Sequence, residues 1–155
     1  MWASSARERK KAKRRDMHLS DINVLIVDDQ TTMRSIIRDL LRKIGLRKVV
    51  DAENIAIAED VLRADGQRMP NLIISDLYMD KGGGLDLLKK LRDDPALRAL
   101  NIPVILLTGE TNEKVLNETR AAGAKYVLAK PCSAQDLGRT IAQALGIVAA
   151  PPIPH

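Results

Sequence analysis

The chain has 155 residues, of which 45% are hydrophobic, enough for one globular domain with a buried core. The formal net charge of +5 belongs to residues 1–16, where seven basic residues outnumber two acidic ones, so the rest of the chain is neutral. This distribution gives no reason to expect nucleic-acid binding by the domain itself, and the single cysteine, Cys132, excludes an internal disulfide bond.

The basic N-terminal segment lacks the apolar stretch that a secretory signal requires, and no apolar run approaches the ~20 residues of a membrane span. We therefore predict a cytoplasmic protein, which also suits a lone cysteine. Because charge runs repel and usually stay solvated, we predict a disordered basic arm over residues 1–20, a folded domain over 21–147 and a proline-rich tail over 148–155. Any contact with nucleic acid or a membrane is expected only through the arm.

Five short apolar runs predict buried strands, and they alternate with segments of helical periodicity. The predicted strands are Ile22–Val27, Lys48–Ala52, Leu72–Ser75, Ile102–Leu107 and Val127–Ala129. Five helices are predicted as well. The first is capped by a threonine at 31 or 32 and ends at Gly45, and the third follows the glycines 82–84 and ends at Asp94-Pro95. The other three are Ile55–Ala64, Asn112–Ala122 and Ala134–Leu145. This alternation predicts a doubly wound α/β fold with a five-stranded parallel sheet and helices on both faces.

The first two helices show apolar spacing that predicts which side chains face the core. In the first helix these are Met33, Ile36, Ile37, Leu40, Leu41 and Ile44. In the second they are Ile57, Ala58, Val61 and Leu62.

Polar side chains follow four of the predicted strands. They are Asp28, Asp29, Asp76, Thr108 and Lys130. In an open parallel sheet, ligands bind beyond the carboxyl ends of the strands, so we expect these residues to converge on one crevice. Clustered carboxylates repel one another unless a hard divalent cation such as Mg2+ lies among them. One carboxylate can then attack phosphorus, while Thr108 and Lys130 bind phosphoryl oxygens and Gly109 leaves room for the group.

Each of these features alone has a commoner explanation. An aspartate pair after a strand usually caps a helix or forms a turn, and a Lys-Pro pair usually lies in a surface turn. We interpret the glycines 82–84 as a flexible loop rather than a phosphate-binding loop, because the Walker spacing is absent. The prediction of a site depends on the conjunction of all these residues at strand ends.

Four segments together resemble a response regulator receiver domain, most closely the single-domain chemotaxis (CheY-like) type. They are Val24–Arg34 (VLIVDDQTTMR), Leu72–Met79 (LIISDLYM), Leu106–Glu110 (LLTGE) and Leu128–Pro131 (LAKP). The resemblance extends over about residues 21–147. It implies a flavodoxin-like sheet with the strand order 2-1-3-4-5.

The resemblance also implies a chemistry for the site. Asp76 would accept a phosphoryl group from a histidine kinase, Thr108 and Lys130 would contact the phosphoryl oxygens, and the Lys130-Pro131 bond would be cis. The cofactor would be Mg2+, with Mn2+ able to substitute. Its implied ligands are the carboxylates of Asp28, Asp29 and Asp76 and the backbone carbonyl of Tyr78.

The implied function is that of a stand-alone response regulator in a two-component phosphorelay, a signalling domain rather than an enzyme. Its downstream partner would be a flagellar motor switch or, as an alternative, a histidine phosphotransfer protein. A hydrolase with an aspartyl-phosphate intermediate is disfavoured because Tyr78, not an acid, lies two residues after Asp76. A receiver that is used only as a scaffold is disfavoured by the complete acceptor set.

Two positions, Val127 and Asp80, depart from the family pattern. Val127 occupies the usual aromatic position three residues before the lysine, and because strand side chains alternate, Tyr126 should face the other way. We therefore predict that phosphorylation moves Thr108 and repacks the face formed by the 112–122 helix and the 127–129 strand, without an aromatic switch. Asp80 replaces the usual proline. Tyr78 and Glu110 occupy the positions that influence the attacking water, and a bulky Tyr78 predicts slow autodephosphorylation.

Overall fold

A parallel sheet forms the centre of the computed structural model, which describes residues 18–64 and 69–147. Its strand order is β2-β1-β3-β4-β5, so the predicted order and fold class are confirmed. The strands are β1 (Asn23–Val27), β2 (Lys48–Ala52), β3 (Leu72–Asp76), β4 (Val104–Thr108) and β5 (Tyr126–Ala129). Residues 1–17 of the predicted arm and the tail over 148–155 lie outside the described residues, and the domain boundaries stay predictions.

A 3-10 turn (Leu19–Asp21) and six helices accompany the sheet in the described part of the chain. The helices are α1 (Thr31–Ile44), α2 (Ile55–Arg63), α3 (Gly84–Asp93), α4 (Pro95–Leu100), α5 (Glu113–Ala121) and α6 (Ala134–Leu145). Their apolar faces build one core on each side of the sheet. Ile37 and Leu41 of α1 pack with Leu137 and Ile141 of α6 on one side. Residues from α2, α3 and α4 pack on the other side.

Helix α4 is absent from the prediction, which took Asp94-Pro95 only as the end of α3. The Asp94 carboxylate accepts a hydrogen bond from the Ala96 N–H at 2.9 Å and so caps a new helix. Pro95 occupies the first helical position, where its missing N–H has no intrahelical partner to lose. The same dipeptide therefore ends one helix and begins the next.

Helix α1 begins and faces the core differently from the prediction. Neither threonine caps it, because Gln30 is the N-cap residue, without a side-chain cap, and Thr31 is already helical. Ile36 is 47% exposed, so its predicted core position is wrong: Ile37 and Leu41 define the buried stripe and Ile36 lies beside it. The predicted end at Gly45 is confirmed, since its φ of 104° is the left-handed conformation that glycine adopts readily.

Ile57 of α2 is likewise exposed rather than inward, at 36% of its surface. The buried side of α2 is formed by Ile55, Ala58 and Leu62. The predicted inward positions at Ala58 and Leu62 are confirmed.

Candidate functional site

The three predicted carboxylates meet at the carboxyl edge of the sheet. Asp76 is the last residue of β3, and Asp28 and Asp29 follow β1, which pairs with β3 in parallel. One carboxylate oxygen from each of the three residues lies within 4.8 Å of the others. The neighbouring positions of β1 and β3 in the sheet therefore bring together residues that are almost 50 positions apart.

Lys130 reaches the same group from the loop after β5. Its Nζ atom lies 3.1 Å from Asp76 Oδ1 and 3.9 Å from Asp28 Oδ2. The Lys130-Pro131 bond is cis, as predicted. The lysine thus brings one positive charge to two of the three carboxylates.

Thr108 ends β4 beside the acidic group and is almost fully buried. Its Oγ1 accepts a hydrogen bond from the Glu110 N–H at 2.9 Å, and its carbonyl accepts one from the Lys130 N–H at 2.7 Å. An added Cβ at Gly109 would meet nothing within 4 Å. There is accordingly open space beside Thr108, as the sequence predicts.

Asp28 is the most constrained of the carboxylates because it is fully buried. Its Oδ1 accepts a hydrogen bond from the Gln30 N–H at 2.8 Å, whereas Oδ2 has no hydrogen-bond partner among the described residues. Burial raises the pKa of the Asp28 carboxyl, and the negative charges of Asp76 and Asp29 raise it further. The Gln30 N–H and the positive charge of Lys130 lower this pKa, but the net shift is upward.

These features fit a divalent cation. A buried carboxylate oxygen without a hydrogen-bond donor needs a positive partner, and the three acids exceed the single lysine in charge. All three are hard oxygen ligands of the kind that Mg2+ prefers. The predicted fourth ligand, the carbonyl of Tyr78, stays a prediction.

Arg34 fixes the main chain of the acidic pair, a role that the sequence analysis missed. Its Nη1 donates to the Asp28 carbonyl at 2.7 Å, and its Nε donates to Asp51 Oδ2 of β2 at 3.1 Å. Arg38 completes the arrangement, with Nη2 3.2 Å from Asp51 Oδ1. The sequence signal for this role was a pair of arginines one helical turn apart, Arg34 and Arg38, together with an aspartate, Asp51, in the next predicted strand.

The glycines at the start of α3, Gly83 and Gly84, pack closely instead of forming a merely flexible loop. A Cβ at Gly83 would lie 2.0 Å from the Leu77 carbonyl oxygen. A Cβ at Gly84 would lie 2.4 Å from a Leu106 methyl group and 2.9 Å from the Asp76 carbonyl oxygen. Glycine is required here so that the start of α3 can approach the end of β3.

Tyr126 and Val127 face opposite sides of the sheet, which confirms the predicted alternation. Tyr126 packs on the side of α1 and α6, and its hydroxyl donates to the Gln143 carbonyl at 3.5 Å. Val127 packs on the other side. The Tyr126 ring and the Val127 side chain therefore lie on opposite faces of the sheet, and α2, α3 and α4 cover the face that Val127 occupies.

Tyr78 and Glu110 are already engaged at the edge of the site. The Tyr78 N–H donates to Asp76 Oδ1 at 3.4 Å, while its side chain is 58% exposed and lines a cavity of about 400 Å3 together with Val115 of α5. Glu110 Oε1 accepts hydrogen bonds from the Thr111 N–H at 3.1 Å and the Asn112 N–H at 2.9 Å. The Glu110 carboxylate is thereby tied to the start of α5.

The sheet, in the order β2-β1-β3-β4-β5, therefore carries three carboxylates and a lysine at its carboxyl edge. The family described as response regulator receiver domain matches residues 24–142, and the chain belongs to it. Receiver domains bind Mg2+ at an acidic pocket, are phosphorylated by histidine kinases and act on downstream targets.

Individual relatives are single-domain proteins of this family. Chemotaxis protein CheY1 of Helicobacter pylori is 33% identical over 125 residues, which is 81% of this chain and 98% of the relative. Chemotaxis protein CheY-3 of Vibrio cholerae is 32% identical over 117 residues, or 76% of this chain and 86% of the relative.

Solved structures agree with this assignment. The structure of chemotaxis protein CheY4 of Vibrio cholerae matches with a TM-score of 0.62 and 28% identity over 79% of this chain and 98% of that one. The bacteriophytochrome response regulator AtBRR matches with a TM-score of 0.68 and 27% identity over 84% of this chain and 96% of that one. Over residues 18–64 and 69–147, no helix is long and apolar enough to cross a bilayer.

Proposed function

We propose that this chain acts as a response regulator in a two-component phosphorelay, in which Asp76 accepts a phosphoryl group from a histidine kinase. The observation that carries the proposal is the convergence of Asp28, Asp29 and Asp76 within 4.8 Å, with Lys130 Nζ 3.1 Å from Asp76. A reducing cytoplasm suits such a protein and its single cysteine.

Asp76 is the carboxylate best placed to react. Asp28 is buried and hydrogen-bonded to the Gln30 N–H, and Asp29 accepts the Asp80 N–H. Asp76 uses Oδ1 for its contacts with Lys130 and the Tyr78 N–H. Its Oδ2 has no hydrogen bond among the described residues and is free to attack phosphorus.

In the proposed transfer, an Asp76 oxygen forms a bond to phosphorus as the bond from phosphorus to the kinase histidine nitrogen breaks. Lys130 neutralises one phosphoryl oxygen, and the Thr108 hydroxyl donates to another. Mg2+, held by Asp28, Asp29, Asp76 and the Tyr78 carbonyl, would neutralise the remaining charge when bound. These roles are almost wholly positioning and electrostatic.

Switching follows from the contacts of Thr108. Turning its hydroxyl toward a phosphoryl oxygen breaks the acceptor contact with the Glu110 N–H, and Glu110 in turn holds the start of α5. Helix α5 is the one described helix without a buried apolar side chain, since only Thr119 is buried there. Moving α5 therefore exposes little apolar surface. We propose that the surface formed by α5 and β5 is the output surface, and that it changes without an aromatic switch.

The relatives named chemotaxis proteins favour a flagellar motor switch as the downstream partner. A histidine phosphotransfer protein is the alternative, in which Asp76 passes its phosphoryl group onward. A pull-down with the phosphorylated chain, compared with Asp76→Asn, distinguishes the two partners.

Phosphorylation itself is tested with a small phosphodonor and Mg2+, followed by intact mass. We expect the native chain to gain one phosphoryl group and Asp76→Asn to gain none. Asp93→Asn, which alters an exposed aspartate of α3, is the matched control and should react normally. A phosphoryl group on Asp76→Asn, or multiple-turnover hydrolysis of small phosphate esters, would contradict the proposal.

We also propose that Tyr78 shields the acyl phosphate from water, so that autodephosphorylation is slow. Replacing Tyr78 with asparagine should speed the loss of the phosphoryl group, measured by intact mass over time after the phosphodonor is removed. Asp93→Asn, which alters an exposed aspartate of α3, is the control and should lose the phosphoryl group at the native rate. An unchanged decay in Tyr78→Asn ends the idea.

A further inference from the structure

One hydrogen bond joins the two loops that supply the acidic residues. The Asp80 N–H donates to Asp29 Oδ2 at 3.1 Å, across 51 positions of sequence. Asp29 belongs to the loop after β1, and Asp80 belongs to the loop between β3 and α3. The donor is a main-chain group, so the Asp80 side chain, which is exposed, has no part in the contact.

The loop that carries this N–H is fixed at its base. Gly84 N–H donates to the Leu77 carbonyl at 3.0 Å and closes the loop, and Leu77 N–H donates to the Leu107 carbonyl of the adjacent strand at 2.9 Å. The close approach of Gly83 to the Leu77 carbonyl leaves no space between the two ends of the loop. The two ends of the loop that carries the Asp80 N–H are therefore held in place by the ends of β3 and β4.

Asp29 depends on this contact more than its neighbour Asp28 does. Asp28 is held by burial, by the Gln30 N–H and, through its carbonyl, by Arg34. Asp29 is only partly buried, and among the described residues it accepts no hydrogen bond besides the one from Asp80. That bond engages Oδ2 and leaves Oδ1 available.

We infer that the main-chain N–H of Asp80 is a positioning group for the metal-binding carboxylate of Asp29. It holds the carboxylate in one rotamer, with one oxygen presented to the cation, in the way that outer hydrogen bonds orient metal ligands. A proline at this position would have no N–H to donate. This inference rests on the proposed metal site, which Asp28, Asp29 and Asp76 form.

The experiment compares Asp80→Pro, which removes the N–H, with Asp80→Ala, which keeps it and removes the charge. Mn2+ affinity is measured on the full chain without phosphodonor, from the electron paramagnetic resonance signal of free Mn2+. We expect Asp80→Ala to bind within about 3-fold of the native chain, because an exposed charge is largely screened. Asp80→Pro should bind about 10-fold more weakly than Asp80→Ala.

A second measurement does not require metal or a proline variant. Amide hydrogen exchange on the metal-free native chain should show the Asp80 N–H protected relative to that of its neighbour Lys81. Asp29→Ala should remove this protection while Ile73 of the central strand β3 keeps its own. A merely structural effect of Asp29→Ala would instead change exchange at both positions.

The outcomes separate this inference from the proposed function. If the native chain itself fails to bind Mn2+, the proposed metal site fails. If the native chain binds Mn2+ but Asp80→Pro and Asp80→Ala bind it equally, the positioning role is overturned and the metal site stands. If Asp80→Pro does not fold, the exchange data decide: an unprotected Asp80 amide, or one indifferent to Asp29→Ala, overturns the inference.

Discussion

Two clusters of charged residues in this molecule differ in balance and burial. The acidic site comprises Asp28, Asp29, Asp76 and Lys130. The helix network comprises Glu59 and Arg63 of α2, Lys90 of α3 and the capping residue Asp94. Both clusters join elements that are distant in sequence, yet only one of them has the properties of a functional site.

In the helix network, every charge has a partner of opposite sign. Lys90 Nζ lies 2.8 Å from Glu59 Oε1, and Arg63 pairs with both Asp94 and Glu59. Two acids meet two bases, and all four side chains are partly exposed. Ion pairs between exposed side chains contribute little to stability because solvent screens them, so the network joins the helices at little cost and little gain.

In the acidic site, three acids face one base, and Asp28 is buried with an oxygen that lacks a donor. An uncompensated buried charge lowers stability. A fold keeps such an arrangement when a ligand supplies the missing charge, and groups with perturbed pKa values accordingly concentrate at functional sites. Unbalanced charge in a buried position, rather than the number of charges, therefore distinguishes the acidic site from the helix network.

Replacing Asp28 with asparagine should have the largest effect. It should weaken metal binding and increase the stability of the metal-free protein. We expect Mn2+ affinity to fall at least about 10-fold because a ligand is lost. The metal-free protein should gain about 1 to 2 kcal/mol in the free energy of unfolding, because a buried charge without a full partner disappears. Urea unfolding in the presence of a chelator measures the stability.

The control is Asp39→Asn on the exposed side of α1, where Asp39 and Arg42 form only a surface pair. It should leave both the affinity and the stability within about 0.5 kcal/mol of the native values. If Asp28→Asn destabilises the metal-free chain, the carboxylate is well compensated and the contrast between the clusters is lost.

The sequence alone predicts that several charged side chains lie together at the carboxyl ends of the strands. Asp28, Asp29, Asp76 and Lys130 each follow a run of apolar residues, and parallel pairing brings the ends of such runs to one edge. The strand order itself came with the family resemblance, not from periodicity. The choice of Asp76, rather than Asp28, as the proposed phosphoacceptor likewise came from that resemblance.

Other features depend on information that residue types do not contain. The bond from Asp80 to Asp29 uses a backbone N–H, which every residue except proline has. The tie from Arg34 to Asp51 depends on how α1 packs against β2. The exposure of Ile36 likewise depends on the rotation of α1 over the sheet, which apolar spacing fixes only to within a residue or so.

Replacing Asp94 with asparagine should have the smallest effect and should reveal its origin through pH. The hydrogen bond from Arg63 lowers the pKa of the Asp94 carboxyl below its usual 3.8, partly against burial. A lowered pKa in the folded state stabilises the fold at pH values above 3.8, and this contribution disappears as the pH falls through the folded-state pKa. Asp94→Asn removes the charge but keeps an oxygen that can cap α4.

The native chain should therefore be slightly more stable than Asp94→Asn at neutral pH, and the difference should close as the solution is acidified below 3.8. Added salt should reduce the difference at neutral pH as well, because both partners are partly exposed. Urea unfolding at several pH values measures it, with the adjacent exposed Asp93→Asn as the matched control. A stability difference that persists unchanged in acid would show that Asp94 stabilises the fold by capping α4 rather than through its ion pair with Arg63.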